Sequence, residues 1–264
     1  MNDNRRRPVE SVEMPSVPVG SGKHPIPLVV ISANKLSESR AFYSALFGWE
    51  MLPLSAELVV GTASGGPTVS LRANTPDGFP GVVPFIGVSD VAAALDRVVA
   101  AGGTVERAPW VAPMAGTLAR FKDVSGTIYG LMQATTLGEL PRIPMPLGSN
   151  PKPAPNTICS LEMYAADGAA AASFFGDLFG WSTLETMPHY MAFDPGASIG
   201  GVFQAHTPAL PAVAYIYVAD VAAKLTEIDA AGGKRMGEPM QIPGTGSFGY
   251  FTDPSGTSMG LIGE

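Results

Sequence analysis

The sequence predicts an α+β protein of four βαβββ units arranged in two pairs. Two repeats carry that prediction. Leu46-Phe47-Gly48-Trp49 returns as Leu178-Phe179-Gly180-Trp181, 132 residues further on. Asp123-Val124-Ser125-Gly126-Thr127 returns as Asp253-Pro254-Ser255-Gly256-Thr257, 130 residues further on. A chain of 264 residues is long enough for two such domains, each with its own core.

Residues 1–23 read as a disordered polar tail containing Arg5-Arg6-Arg7. No continuous apolar stretch follows those arginines, which argues against a twin-arginine export signal. Residues 24–135 form the first expected domain. Residues 26–32 make a β-branched strand, and Ser37 or a neighbour can cap a helix running to Phe47. Gly48 then takes the left-handed C-cap conformation and Trp49 opens the next strand. Strands at residues 50–54, 57–62 and 68–72 complete the first unit. The second has a strand at 82–88 and a helix from Asp90 on which Val91, Leu95, Val98 and Val99 share a face. Gly102-Gly103 ends that helix, and strands follow around Val105, 118–121 and 128–132. Residues 136–155, rich in Pro, Gly and Leu, read as a linker. Residues 156–264, the second domain, restart the pattern: a strand at 156–165, a helix capped by Asp167 and ended by Gly180, and strands at 189–193 and 201–205. The last unit has a strand at 213–218 and a helix from Asp220 to Gly232-Gly233, and it closes at the repeated Asp253 turn.

A net charge of −7 argues against nucleic acid or an anionic membrane surface as partner, since both need clustered Lys and Arg. No segment approaches the roughly 20 apolar residues of a membrane span. A single cysteine, Cys159, excludes an intrachain disulfide and any multi-cysteine metal site. A cytoplasmic location is the expectation.

Phe42-Tyr43 ahead of Leu46-Phe47-Gly48-Trp49, Val88-Ser89-Asp90-Val91 with Ala101-Gly102-Gly103, and Asp253-Pro254-Ser255-Gly256 carry a resemblance. From Pro25 to Glu264 the chain resembles a tandem member of the vicinal oxygen chelate superfamily, the glyoxalase, bleomycin-resistance and ring-cleaving dioxygenase family. Within it the chain is most similar to the two-domain glyoxalase-like proteins of actinobacteria. The resemblance implies half-barrels with a ligand on the concave face and helices on the convex face. It also implies that the two domains pair within a monomer or across a homodimer. Metal enzymes of the family take ligands from four concave strands, usually His or Gln, Glu, His and Glu. Carried over by spacing, these positions fall near Leu28, Ser70, Val83 and Gly130, and near Ser160, Ala205, Val213 and Gly260. Leu, Val, Ala and Gly offer no lone pair and Ser is a poor ligand, so neither a metal nor another cofactor is expected. A register error of one residue would bring Gln204 or His206 to the empty position. His24, His189 and His206 have no local chelate spacing.

Two other patterns lack the context they need. Gly244-Thr245-Gly246-Ser247-Phe248-Gly249 has a dinucleotide-like spacing but runs on into a strand rather than a helix. Gly196-Ala197-Ser198-Ile199-Gly200 spells a nucleophile elbow, yet it precedes a strand.

Glu162 is the candidate catalytic residue. Alternation assigns Cys159, Leu161 and Met163 to the helix side and Ser160, Glu162 and Tyr164 to the concave face. A carboxylate among apolar neighbours is either a general base of raised pKa or an anchoring acceptor, and the plainer alternative is a rim Glu in water or one bonded to a neighbouring strand. Its counterpart in the first half is Val30, so only the second half has this chemistry. Phe203, Tyr215, Tyr217 and Ser258 are expected in the same cavity, offering aromatic faces and hydroxyls. In the first half Leu28, Val30, Val83 and Phe85 make a more apolar face, with Arg72 and Arg120 either its polar anchors or solvated strand-end charges, and Trp110 and Met114 either a lid or residues packed on it. These residues point first to metal-independent binding of a small organic molecule. The alternatives are a metal-free isomerase or lyase using Glu162, and a metal-dependent glyoxalase or dioxygenase if the register is misread.

Overall fold

The computed structural model describes residues 18–63, 65–73, 81–112, 115–133, 140–147, 149, 151–205, 212–242 and 246–263. The first half runs β1 (Leu28–Ser32), α1 (Leu36–Phe47), β2 (Glu50–Ser55), β3 (Leu58–Thr62), β4 (Thr68–Arg72), β5 (Val82–Val88), α2 (Val91–Ala100), β6 (Thr104–Ala112), β7 (Gly116–Lys122) and β8 (Ile128–Gln133). The second runs β9 (Ile158–Tyr164), α3 (Gly168–Phe179), β10 (Ser182–Met187), β11 (Tyr190–Asp194), β12 (Gly200–Gln204), β13 (Ala212–Val218), α4 (Val221–Ala230), β14 (Lys234–Arg235), β15 (Met240–Ile242), β16 (Gly246–Thr252) and β17 (Ser258–Gly263). Each half is one mixed sheet, in the order β2-β3-β4-β1-β5-β8-β7-β6 and β10-β11-β12-β9-β13-β17-β16-β14, with β15 beside β16. Four βαβββ units in two pairs are therefore present.

The helices begin and end where side chains satisfy their terminal amides. Asp90, Asp167 and Asp220 each accept from backbone N–H groups of the first turn of α2, α3 and α4. Gly48 and Gly180, both at φ 67°, cap α1 and α3 in the left-handed conformation. The N-terminus of α1 differs from expectation. Its N-cap is Lys35, no side chain of its own first turn caps it, and Lys35 N donates instead to Ser255 Oγ of the other half at 2.9 Å.

One hydrophobic core holds all four helices and the helix-facing residues of both sheets. Phe42 and Phe47 of α1 meet Phe251 of β16, while Phe174 and Phe179 of α3 meet Phe121 of β7. Polar stitches follow the same pseudo-two-fold pattern. Thr127 Oγ1 donates to Tyr164 O and Thr257 Oγ1 to Ser32 O; Trp49 Nε1 donates to Asn156 O and Trp181 Nε1 to His24 O. The repeated Asp turns thus join the halves. In each, Asp123 or Asp253 Oδ1 accepts from the amides two and four residues on, presenting the threonine.

Residues 18–23, expected within the disordered tail, pack on the second half: Ser21 N donates to Gly180 O and Gly22 N to Pro195 O. Residues 1–17 lie outside the described residues. No helix among the described residues is long and apolar enough to cross a membrane.

Candidate functional site

Each sheet has a second face, turned away from the helices. On β9 that face carries Ser160, Glu162 and Tyr164, because Leu161 and Met163 point into the helical core. Directly paired residues share a face, so Val202 and Val213 flank Glu162, Gly200 and Tyr215 flank Ser160, and Gln204 flanks Tyr164. Glu162 is 5% exposed. Tyr215 Oη donates to Glu162 Oε2 at 2.6 Å and Tyr250 Oη donates to the same oxygen at 3.1 Å. The two hydroxyl oxygens lie 2.7 Å apart. Burial, then the charge of Glu162, pushes the ionisation of both phenols up, so they remain protonated donors. Tyr190, 38% exposed on β11, is raised by the same two causes.

A missing side chain lets this cluster form. Gly260 on β17 pairs with Tyr215, and a Cβ there would stand 2.5 Å from the tyrosine ring. Phe85 covers Gly130 in the same way in the first half. These glycines are the positions where the resemblance places the fourth metal ligand, so in both halves an aromatic ring fills that place. Among the described residues no three of His, Cys, Asp or Glu come together. His24 contacts Gly87 O through Nδ1 at 2.9 Å and packs on Phe179, His189 sits in the β10–β11 turn, and His206 lies outside the described residues. Among the described residues this face offers Glu162 and, because β12 sits one residue out of the expected register, Gln204, while Val202, Val213 and Gly260 carry no lone pair, so the set falls short of the four ligands of the family's metal enzymes.

The other expected residues divide. Tyr217 joins Val213, Tyr215 and Ile262 in the cluster on this face, with Phe248 and Tyr250 packed against it. Ser258 lies on the same face at the start of β17, its Oγ 3.8 Å from Met236 Sδ. Phe203 does not belong there. It is fully buried on the helix side, stacked on Phe175 and against Phe193. β12 presents Val202 and Gln204 instead, one residue out from the expected register, and Ala205 lies beyond the strand's end. Cys159 is also displaced: the β9–β13 register shifts between Tyr215 and Ile216, and the thiol lies in the helix-free cluster, donating to Tyr215 O at 3.5 Å.

On the first sheet, Leu28, Val30, Val83, Phe85 and Leu118 form an apolar cluster against which Trp110 packs. Arg120, 5% exposed, pairs with Glu106, Nε to Oε2 at 2.6 Å and Nη2 to Oε1 at 3.0 Å. Arg72 lies half-buried at the end of β4, paired with Ser32. Arg107 stands 4.0 Å over the Trp110 ring, and Met114 lies outside the described residues. Sequence reasoning missed Tyr250, Tyr190 and Glu106. The alternation of Phe248 and Tyr250 about helix-facing Phe251 was the available signal for the first.

Fold and faces together define a duplicated βαβββ protein whose carboxylate and phenol cluster is confined to its second half. The sequence profile of the Glyoxalase/Bleomycin resistance protein/Dioxygenase superfamily matches residues 26–128 and again 157–259, and the chain belongs to that superfamily. A Mycobacterium bovis protein with the provisional name glyoxylase CFP32 is 27% identical over 250 residues, covering 89% of this chain and 92% of the relative. Among solved structures, the Mn(II)-bound glyoxalase of Novosphingobium aromaticivorans matches 91% of this chain and 82% of its own, with TM-score 0.64 and 18% identity. The 2,3-dioxygenase LapB of Pseudomonas sp. KL28 matches 93% of each chain, with TM-score 0.60 and 16% identity. At those identities the likeness concerns the fold.

Proposed function

We propose that this chain binds a small organic molecule without a metal ion, on the helix-free face of its second half. The observation that carries the reading is the Tyr215–Glu162–Tyr250 cluster, a buried carboxylate held by two protonated phenols beside the aromatic faces of Tyr217 and Phe248. Such a cluster accepts a ligand N–H or O–H and donates to a ligand oxygen, while the rings contact a flat apolar body. The Tyr215 ring over Gly260 supports the absence of a metal from the site.

Ligand screening by thermal shift tests this. One compound class should raise the melting temperature with the logarithm of its concentration above Kd, by about 3 kcal/mol of stabilisation at a hundredfold excess over Kd. Glu162→Gln should weaken that class at least about tenfold, and added Mn(II) or Zn(II) should change neither. Binding that needs a divalent metal would sink the proposal.

A second reading has one observation in its favour. The hydroxyls step from buried Tyr215 to half-buried Tyr250, a route by which Glu162 could exchange a proton in an isomerase or lyase reaction. The mycobacterial relative carries the provisional name of an enzyme, glyoxylase. Turnover abolished by Glu162→Gln with binding retained would favour it.

A further inference from the structure

The segment between the halves crosses the second site. Residues 141–147, Pro141-Arg142-Ile143-Pro144-Met145-Pro146-Leu147, place Ile143 and Leu147 against the cluster of Val213, Tyr215, Tyr217 and Ile262. Met145 Sδ lies 3.6 Å from where a Cβ of Gly200 would stand, and Leu147 Cδ2 lies 3.3 Å from that of Gly246. Pro144 and Pro146 have no N–H, so laying them over an apolar face strands no donor. One end is clamped to the β11–β12 connection. Ile143 N donates to Ser198 O at 2.7 Å, Ser198 N to Pro141 O at 3.0 Å, and Arg142 Nε to Asp194 Oδ2 at 2.9 Å. Asp194 is 4% exposed and also accepts from Gly196 N. Ser198 holds a left-handed φ of 60° there and anchors its hydroxyl on Ile26 O.

We propose that residues 143–147 are a displaceable wall of the second site and determine its specificity, covering the Tyr215 face that a ligand takes. The inference rests on the reading of this face as the ligand site. The ligand class is a compact, mainly apolar molecule that replaces the contacts of Ile143, Met145 and Leu147 and turns one hydroxyl or amine towards Glu162 and Tyr250. The first-half face is packed by its own sheet residues, Trp110, Ala112, Ile128 and Met132.

Nile red, a neutral apolar dye that brightens on leaving water, is the probe. It is titrated into the full chain and into Arg142→Ala/Asp194→Asn, which removes the clamp's ion pair, leaving its two backbone bonds to hold it, and keeps an acceptor for Gly196 N. Amide exchange at Ile143 and Ser198 is followed in parallel. The loosened clamp should exchange faster and bind dye about tenfold more tightly, and adding Val202→Trp, which fills the face beside Glu162, should remove the gain. Faster exchange with unchanged dye affinity overturns the inference and leaves the Glu162 reading to its own screen. A gain that survives Val202→Trp places the dye elsewhere and overturns it as well. Should the clamp variant fail to fold, Ile143→Ser/Leu147→Ser leaves the clamp intact and should tighten dye binding by the same route; unchanged affinity there is equally fatal.

Discussion

Arg120 and Tyr250 occupy equivalent places, each paired with a glycine that an aromatic ring covers. The two halves solve that place differently. Tyr250 offers a neutral donor to Glu162, whereas the guanidinium of Arg120 is engaged with Glu106 inside an apolar face. Arg120→Ala should therefore cost about 3–5 kcal/mol in urea unfolding by leaving a buried carboxylate, and Arg120→Met/Glu106→Leu should recover most of it. Asp123 gives a second test. Burial pushes its carboxyl up to about 6, against backbone donation from Thr127, Ser125 and Gly126, and its Oδ2 has no hydrogen-bond partner among the described residues. A raised folded pKa favours the native state below the unfolded value near 4 and loses that contribution as pH rises through about 6. Asp123→Asn keeps the turn's acceptor and should stabilise the protein at pH 7 by up to about 3 kcal/mol, the advantage shrinking as pH falls to 4. Melting curves across that range check it, and a constant difference would contradict it. At this scale the sequence exposes Glu162, since a carboxylate in an apolar alternation stands out. It hides the phenol that holds it, because Tyr250 is 88 residues away and only strand pairing brings them together.

The elements show why local pattern was sufficient in some places and not in others. The left-handed caps at Gly48 and Gly180 and the Asp167 cap of α3 are decided within a few residues and were legible, and Asp90 and Asp220, expected where their helices start, turn out to cap α2 and α4. The face of β12 was not, because a short Gly-rich strand, Gly200–Gln204, has too little alternation to fix its register, and Phe203 went to the wrong side. The shift beside Cys159 likewise leaves no mark in composition. Gly260 turns this into a measurement. Gly260→Ala would drive the Tyr215 ring off the strand, costing about 1–3 kcal/mol by overpacking and loosening its contact with Glu162. Gly256→Ala, at φ 85° with open space around it, should cost about 1 kcal/mol through backbone strain alone. Ligand affinity should fall for the first and hold for the second; equal loss would show that only stability matters.

For the whole molecule, the repeats announced duplication, and the structure adds that the repeated motifs are the joints. Thr127 and Thr257 each bond the opposite half, and rings from α1 and α3 enter one shared core. Residues 156–264 alone would expose Phe174, Phe179 and Phe251, and the pseudo-two-fold pattern offers a copy of the same segment as substitute cover. Sedimentation of that fragment should show a dimer or aggregate, and a stable monomer would contradict the shared core. The stitch from Lys35 N to Ser255 Oγ joins residues 220 apart and gives the amide of α1's N-cap residue its acceptor. A ribosome releases that helix long before it releases Ser255. α1 is thus made long before the acceptor of its N-cap amide, and a nascent chain arrested before residue 250 should leave the Lys35 amide open to exchange until the closing turn emerges.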